Sequence, residues 1–231
     1  MKVYPTTAGK TVSALQGHFQ QMLMRLTRPQ SVLELGTFMG YSAMAMADGM
    51  PKGGVLYTCE KDPKAARLSR ELFEELAYSP SEKKVNVERK DATIEVVEGN
   101  GLSSLASLRE RGLRFDAVFL DADKSNYVNY YNFILDNDML NDNGYILADN
   151  VLFSGLVLNS EERKARAPGS SSKGKGKKDR DAADGEWTSE AFQKFADHID
   201  TFNKHVRNDP RVDVVLLPAF DGLSLIMKKR Q

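Results

Sequence analysis

Val32-Leu-Glu-Leu-Gly-Thr-Phe-Met-Gly-Tyr-Ser42 decides the fold class of this chain. An apolar run, Val32 to Leu35, stops at Gly36, and Gly40 stands just ahead of Tyr41 to Met50, a stretch rich in Ala and Met. That order reads as strand, glycine turn and helix. In doubly wound sheets, ligands bind at the C-terminal rim of the strands, and Gly36 would let one approach the backbone closely. Packing alone explains a glycine between a strand and a helix about equally well at this stage.

Glu60 ends the next apolar run, about twenty residues beyond Gly40, where one carboxylate can accept both hydroxyl protons of a ribose. The spacing Gly-x-x-x-Gly is not that of pyrophosphate binders, and no lysine-bearing phosphate loop is present. The expected ligand is therefore a nucleoside without a phosphate chain. Glu34 would repel a pyrophosphate but attract a cationic group. S-adenosylmethionine, with its ribose, α-ammonium and sulfonium, fits these requirements.

Outward from this unit, strands and helices alternate. Leu15 to Leu26 reads as a helix closed by Pro29, Val55 to Cys59 as a strand, and Pro63 to Ala77 as a helix with proline in its first turn. Val85 to Glu88 reads as a strand, and Thr93 to Leu108 as a helix interrupted near Gly99 and Gly101. Phe115 to Leu120 is a strand, Asn126 to Leu135 a helix and Tyr145 to Ala148 a strand. The alternation predicts an α/β fold with a doubly wound, Rossmann-like parallel sheet. Glu161 to Glu186 breaks the pattern. It holds Lys173-Gly-Lys-Gly-Lys-Lys178, but Asp179, Asp181 and Asp184 follow at once, so a flexible, solvated loop is expected over 161–186. Trp187 to Val206 reads as a helix. Val212 to Leu217 and Leu223 to Met227, joined by a short connector, should pair antiparallel.

The length of 231 residues suits one domain spanning 1–231, and 41% hydrophobic residues support a core. Lys+Arg and Asp+Glu both number 32, which argues against a general polyanion binder, so no nucleic-acid partner is expected. The single cysteine, Cys59, excludes an intramolecular disulfide and fits a reducing compartment. No apolar run is long enough to span a bilayer, and the start lacks a secretory pattern. A cytoplasmic protein without a membrane partner is the expectation.

The chemistry is carried by Phe119-Leu-Asp-Ala-Asp-Lys-Ser-Asn-Tyr127 and Leu147-Ala-Asp-Asn150. Asp121 and Asp149 both stand where an apolar strand runs out. If those strands are neighbours and parallel, the two carboxylates share one rim with the Asn150 amide oxygen. Such oxygens, with no His or Cys nearby, favour a hard cation such as Mg²⁺. Water and a vicinal diol could fill its remaining positions. The bland reading is that aspartates at strand ends cap the next helix and that Lys124 is merely solvated. Asp123, close to the helix start at Asn126, fits that reading almost as well as a functional one. His18, His198 and His205 lack the spacing of a zinc site.

These residues resemble the cation-dependent class I O-methyltransferases, which include the catechol and caffeoyl-coenzyme A O-methyltransferases. The resemblance runs from about Val12 to Lys228. Its landmarks are Val32 to Ser42, Cys59-Glu-Lys-Asp-Pro63, Phe119 to Tyr127, Ala148 to Gly155 and Asp221-Gly-Leu-Ser-Leu225. It implies a seven-stranded sheet with an antiparallel last strand and helices on both faces. It implies Asp121, Asp149 and Asn150 as metal ligands, Lys124 as catalytic base and Glu60 on the ribose. Ala92 would lie against adenine, and Glu34, Gly36, Thr37 and Ser42 along the methionine end. Val12, Asp121 and Asp123 match further cofactor-contacting positions. The implied partner is a small phenolic acceptor, with a homodimer left open. Phe153 stands where plant members usually carry Trp, and the 161–186 loop is longer and more polar than usual, so acceptor identity does not carry over.

Three other functions compete. A nicotinamide-dependent oxidoreductase would share Glu60 but not the glycine spacing. A non-catalytic binding module could use the basic loop. A methyltransferase acting on nucleic acid or protein fits poorly with zero net charge and a diol-chelating set.

Overall fold

The structure is a computed structural model, and it describes residues 11–78, 91–157 and 189–230. The expected strand at Val85–Glu88 and loop at 161–186 lie outside the described residues. The elements run α1 (Ala14–Thr27), β1 (Ser31–Leu35), α2 (Tyr41–Ala47), β2 (Val55–Glu60), α3 (Pro63–Glu75), β3 (Thr93–Glu98), α4 (Gly101–Glu110) and β4 (Phe115–Leu120). A 3₁₀ turn (Lys124–Asn126), α5 (Tyr127–Asp136), β5 (Leu140–Asp149), a second 3₁₀ turn (Phe153–Gly155), α6 (Ser189–Asn208), β6 (Val212–Leu217) and β7 (Leu223–Lys228) follow.

The sheet has seven strands in the order β3-β2-β1-β4-β5-β7-β6. β7 runs antiparallel to both its neighbours, and the other pairings are parallel. The β6–β7 pairing read from the short connector is present, with Leu217 opposite Leu223. The chain winds outward from β1 in one direction and from β4 in the other, so the rim between β1 and β4 is the switch point where a crevice opens.

Alternation along the central strands feeds a core on each face. Val32, Ala117, Phe119 and Leu147 join Met24, Met46 and Phe73 of α1, α2 and α3. Leu33, Leu35, Val118, Leu120 and Ile146 join Leu105, Tyr131, Ile134 and Phe202 of α4, α5 and α6. With both faces covered, the central strands read as nearly continuous apolar runs.

One element differs from the sequence reading. Thr93 to Leu108 is not one interrupted helix. Thr93–Glu98 is an edge strand paired in register with Val55–Glu60, and a helix starts only at Gly101. The β-branched Thr93, Ile94, Val96 and Val97 fit a pleated surface. Asn100 then caps the helix, its side chain accepting from Ser103 N at 2.9 Å. β5 is also longer than read, starting at Leu140 rather than Tyr145, with an irregularity opposite Phe115–Ala117.

Candidate active site

A cavity of about 590 Å³ opens at the rim where β1, β2, β4 and β5 end, within the size range of small-molecule sites. The turn after β1 forms one wall. Gly36 has φ 105, and a Cβ there would overlap the Asp121 carbonyl oxygen. The close passage of the β1 and β4 ends therefore requires glycine. Gly36 N and Thr37 N both donate to Cys59 O, at 3.0 and 3.2 Å, tying the turn to β2. Glu60 faces the cavity, with Oε2 accepting Phe38 N and Oε1 accepting Asp62 N, each at 2.8 Å. Each oxygen keeps a lone pair for a ligand hydroxyl.

Glu34 is placed differently from the expectation. Its carboxyl is fully buried beneath the turn, off the cavity wall. Ser42 Oγ and Thr58 Oγ1 each donate to it at 2.5 Å, and Thr37 Oγ1 lies 2.6 Å from Thr58 Oγ1. Burial pushes its pKa up to about 8, against the pull of the two hydroxyl donors. Thr37 and Ser42 present the wall, while Glu34 holds them from below.

The acidic rim adjoins the Gly36 turn at the ends of β4 and β5. Lys124 Nζ donates to Asp121 Oδ1 at 2.9 Å and to Tyr127 Oη at 2.7 Å. Tyr127 is buried and donates onward to Leu120 O at 2.9 Å. Burial raises the Asp121 pKa, and the Lys124 ammonium works against that rise. Asp149, only 3% exposed, accepts Gln16 Nε2 at 2.7 Å on Oδ2 and Asn150 N at 2.7 Å on Oδ1. Burial and then the Asp121 charge push the Asp149 pKa up to about 6, against Lys124, Gln16 and the Asn150 amide. Asn150 has left-handed backbone, φ 59, which asparagine tolerates.

Asp121, Asp149 and Asn150 thus line one cavity, with the Lys124 ammonium paired to Asp121. That donor set is hard, and Asp149 is short of neutralising charge, so a divalent cation fits these residues. Among the described residues no three His, Cys, Asp or Glu side chains converge, so such an ion would complete its shell with water or substrate. Asp123 also faces the cavity, but its side chain does not cap the 3₁₀ turn. It accepts Tyr130 Oη at 2.5 Å and a hydrogen bond from Asn126 Nδ2. Val12, Met39, Tyr41, Phe153 and Phe195 supply apolar wall, with the Phe153 and Phe195 rings 6.2 Å apart.

The chain matches the O-methyltransferase family model over residues 2–229. It belongs to the O-methyltransferase family. The O-methyltransferase ankF of Aspergillus thermomutatus is 35% identical over 218 residues, covering 94% of this chain and 78% of that protein. A catechol O-methyltransferase of Niastella koreensis is 34% identical over 162 residues, covering 69% of this chain and 66% of that protein. Among solved structures, the S-adenosylhomocysteine-bound methyltransferase PaMTH1 of Podospora anserina superposes with a TM-score of 0.72. It is 29% identical, with coverage of 98% of this chain and 83% of that one.

Within this O-methyltransferase, one residue expected at the site lies away from the cavity. Ala92 is buried in the core and precedes β3, beside Gly54 and Val55 on the far rim of the sheet. A six-residue strand separates it from the cavity rim by about 20 Å. Gly99 and Gly101, past the end of β3, line the cavity instead. A Cβ on Gly101 would meet the Tyr130 ring at 2.5 Å, so glycine makes room for that ring. Reading Thr93 onward as helix hid this. The sequence reading also passed over Gln16, Tyr130, Phe195 and Asp221. Only Asp221, inside the quoted Asp-Gly-Leu-Ser-Leu landmark, carried a signal there.

Proposed function

We propose that this O-methyltransferase moves a methyl group from S-adenosylmethionine to one hydroxyl of a catechol-like phenol, with a divalent cation at the acidic rim. The observation that supports the reading is Lys124 paired with Asp121 beside the Gly36 turn, in one cavity with Asp149 and Asn150. The catechol O-methyltransferase relative and the adenosylhomocysteine-bound neighbour support acceptor and cofactor class.

Glu60 would accept the ribose hydroxyls, and Gly99 and Gly101 would leave the adenine room beside Tyr130. Thr37 and Ser42, braced by Glu34, would hold the amino-acid end. Asp121, Asp149 and Asn150 would hold the cation, which supplies Lewis acidity at the acceptor oxygens. Phe153 and Phe195 offer the acceptor ring an apolar wall. Lys124 Nζ, as the neutral amine, would take the hydroxyl proton, and Asp121 and Tyr127 Oη would stabilise the ammonium that forms. The phenolate oxygen would bond the sulfonium methyl carbon as the S–CH₃ bond breaks, and S-adenosylhomocysteine would leave with the electron pair. Alignment of the two reactants in one closed space supplies much of the acceleration.

The test is methyl transfer from labelled S-adenosylmethionine to a panel of catechols and hydroxycinnamoyl thioesters, with Mg²⁺ or with EDTA. The reading expects turnover of diols in Mg²⁺ and its loss in EDTA. Full activity in EDTA removes the cation, and transfer only to isolated hydroxyls removes the catechol-like acceptor.

A further inference from the structure

α1 is buried on one side and open on the other. Gln16, Gln20 and Met24 are buried. Leu15, Met22 and Leu26 share the outer stripe at helical spacing and are 71%, 57% and 82% exposed. One exposed apolar side chain is ordinary, but a row of them marks a contact surface. The row continues onto the sheet. Phe19 packs its ring 5.8 Å from Phe220, in the connector of the β6–β7 hairpin. At the other end of α1, Thr27 Oγ1 lies 3.0 Å from Tyr145 Oη, and Tyr145 pairs with Met227 of β7. Val212, Val214 and Ile226 join the core on the α6 side of this hairpin. On the α1 side Val215, opposite Leu225, stays 57% exposed, and Met227 is exposed too. One apolar face therefore runs from α1 across β7 to the edge strand.

Charge frames this face. The chain as a whole has no net charge, yet its first acidic residue is Glu34, so α1 carries no acid. Arg25 and Arg28 stand exposed at the end of α1, and Lys229 and Arg230 stand exposed just past Met227. None of the four forms an ion pair among the described residues. Asp213, opposite Met227, is an acid on the same face.

We propose that this face docks on a membrane surface that contains anionic phospholipid. Its apolar side chains enter the boundary between headgroups and acyl chains, while the arginines and lysines at its edge meet the lipid anions. A second copy of the chain fits less well, because twofold pairing of this face brings one basic edge up to another. No described helix is long and apolar enough to cross a membrane, so the contact is peripheral. The lack of a spanning run and of a secretory start does not bear on such a contact. Docking in this way sets the cavity rim at the lipid. Phe220 adjoins Asp221, which lines the cavity, and Leu15 adjoins Gln16, which bonds Asp149.

Co-sedimentation of the full chain with vesicles of mixed phosphatidylcholine and phosphatidylserine, against phosphatidylcholine alone, tests this. The chain should bind the mixed vesicles more tightly, and about 0.5 M NaCl should weaken that binding. Met22→Glu with Leu26→Glu should lower partition onto the mixed vesicles by at least about 10-fold. Arg25→Gln with Lys229→Gln removes only charge from exposed positions. It should lower partition onto the mixed vesicles about 10-fold and leave the weaker binding to phosphatidylcholine unchanged. A wild-type chain that does not sediment with the mixed vesicles overturns the proposal, as does unchanged binding in either double variant. Sedimentation equilibrium supplies the remaining outcome. A wild-type dimer that ignores vesicles and that Met22→Glu with Leu26→Glu splits into monomers would assign the face to a second copy and overturn it too.

Discussion

Gln16 Nε2 donates to Asp149 Oδ2 across 2.7 Å, joining the first turn of α1 to the end of β5. The two residues are 133 apart in the chain, and both are buried. A charge-assisted bond of this kind contributes roughly 1.5–3 kcal/mol, and an orphaned buried carboxylate oxygen costs at least as much. Gln16→Leu should therefore lower stability by about 1–3 kcal/mol in urea denaturation at pH 7.5. An unchanged midpoint would show that water replaces the glutamine at Asp149.

Lys124→Ala should cut turnover by about 10²- to 10⁴-fold, the usual range for a lost general base. Adenosylhomocysteine affinity should change little, because Lys124 bonds Asp121 and Tyr127 rather than the glycine turn. Single-turnover kinetics with calorimetry reads both. Retained turnover removes Lys124 from the proton transfer.

Glu34 makes stability depend on pH. Its folded-state pKa is about 8 against an ordinary 4.5, so between these values the folded chain keeps a proton that the unfolded chain releases. Stability contributed by the neutral carboxyl is complete below about 4.5 and is lost as pH rises through about 8. Asp149, raised to about 6, acts in the same direction but over a lower window. Glu34→Gln should flatten the fall in unfolding free energy between pH 6 and 8 and leave only the Asp149 share below pH 6. A wild-type curve that is flat from pH 6 to 8 would contradict the buried, proton-holding carboxyl.

Gly101→Ala should push the Tyr130 ring into the cavity and weaken adenosylhomocysteine binding about 10-fold, equivalent to about 1.4 kcal/mol. Ala92→Gly should cost stability alone, since Ala92 belongs to the core at the opposite rim. Calorimetric titration of both variants decides between the two rims. An effect of Ala92→Gly on affinity with none from Gly101→Ala would restore Ala92 as the cofactor contact.

Much of the site was readable because its parts are local in sequence. Asp121 and Asp149 end apolar strands, and the alternation of elements made those strands parallel neighbours with ends on one rim, as the β4–β5 register shows. Lys124, three residues beyond Asp121, reaches its carboxylate within the same turn. The strand at Thr93–Glu98 was not readable in the same way. Its apolar positions are few at an edge, its burial is partial, and the following Ser- and Leu-rich helix carries the pattern across Gly99.

The sequence by itself determined the alternation of strands and helices apart from β3, the glycine turn and the oxygen-bearing strand ends, because periodicity, turn chemistry and abrupt polar stops are properties of neighbouring residues. Only the tertiary structure decided that Glu34 lies beneath the wall, that Gly101 rather than Ala92 meets the cavity, and that Gln16 and Asp221 brace Asp149 and Asn150. Those facts depend on how a helix at one end of the chain and a hairpin at the other pack against the central strands. Side-chain hydrogen bonds between such distant segments exist only once both cores have closed.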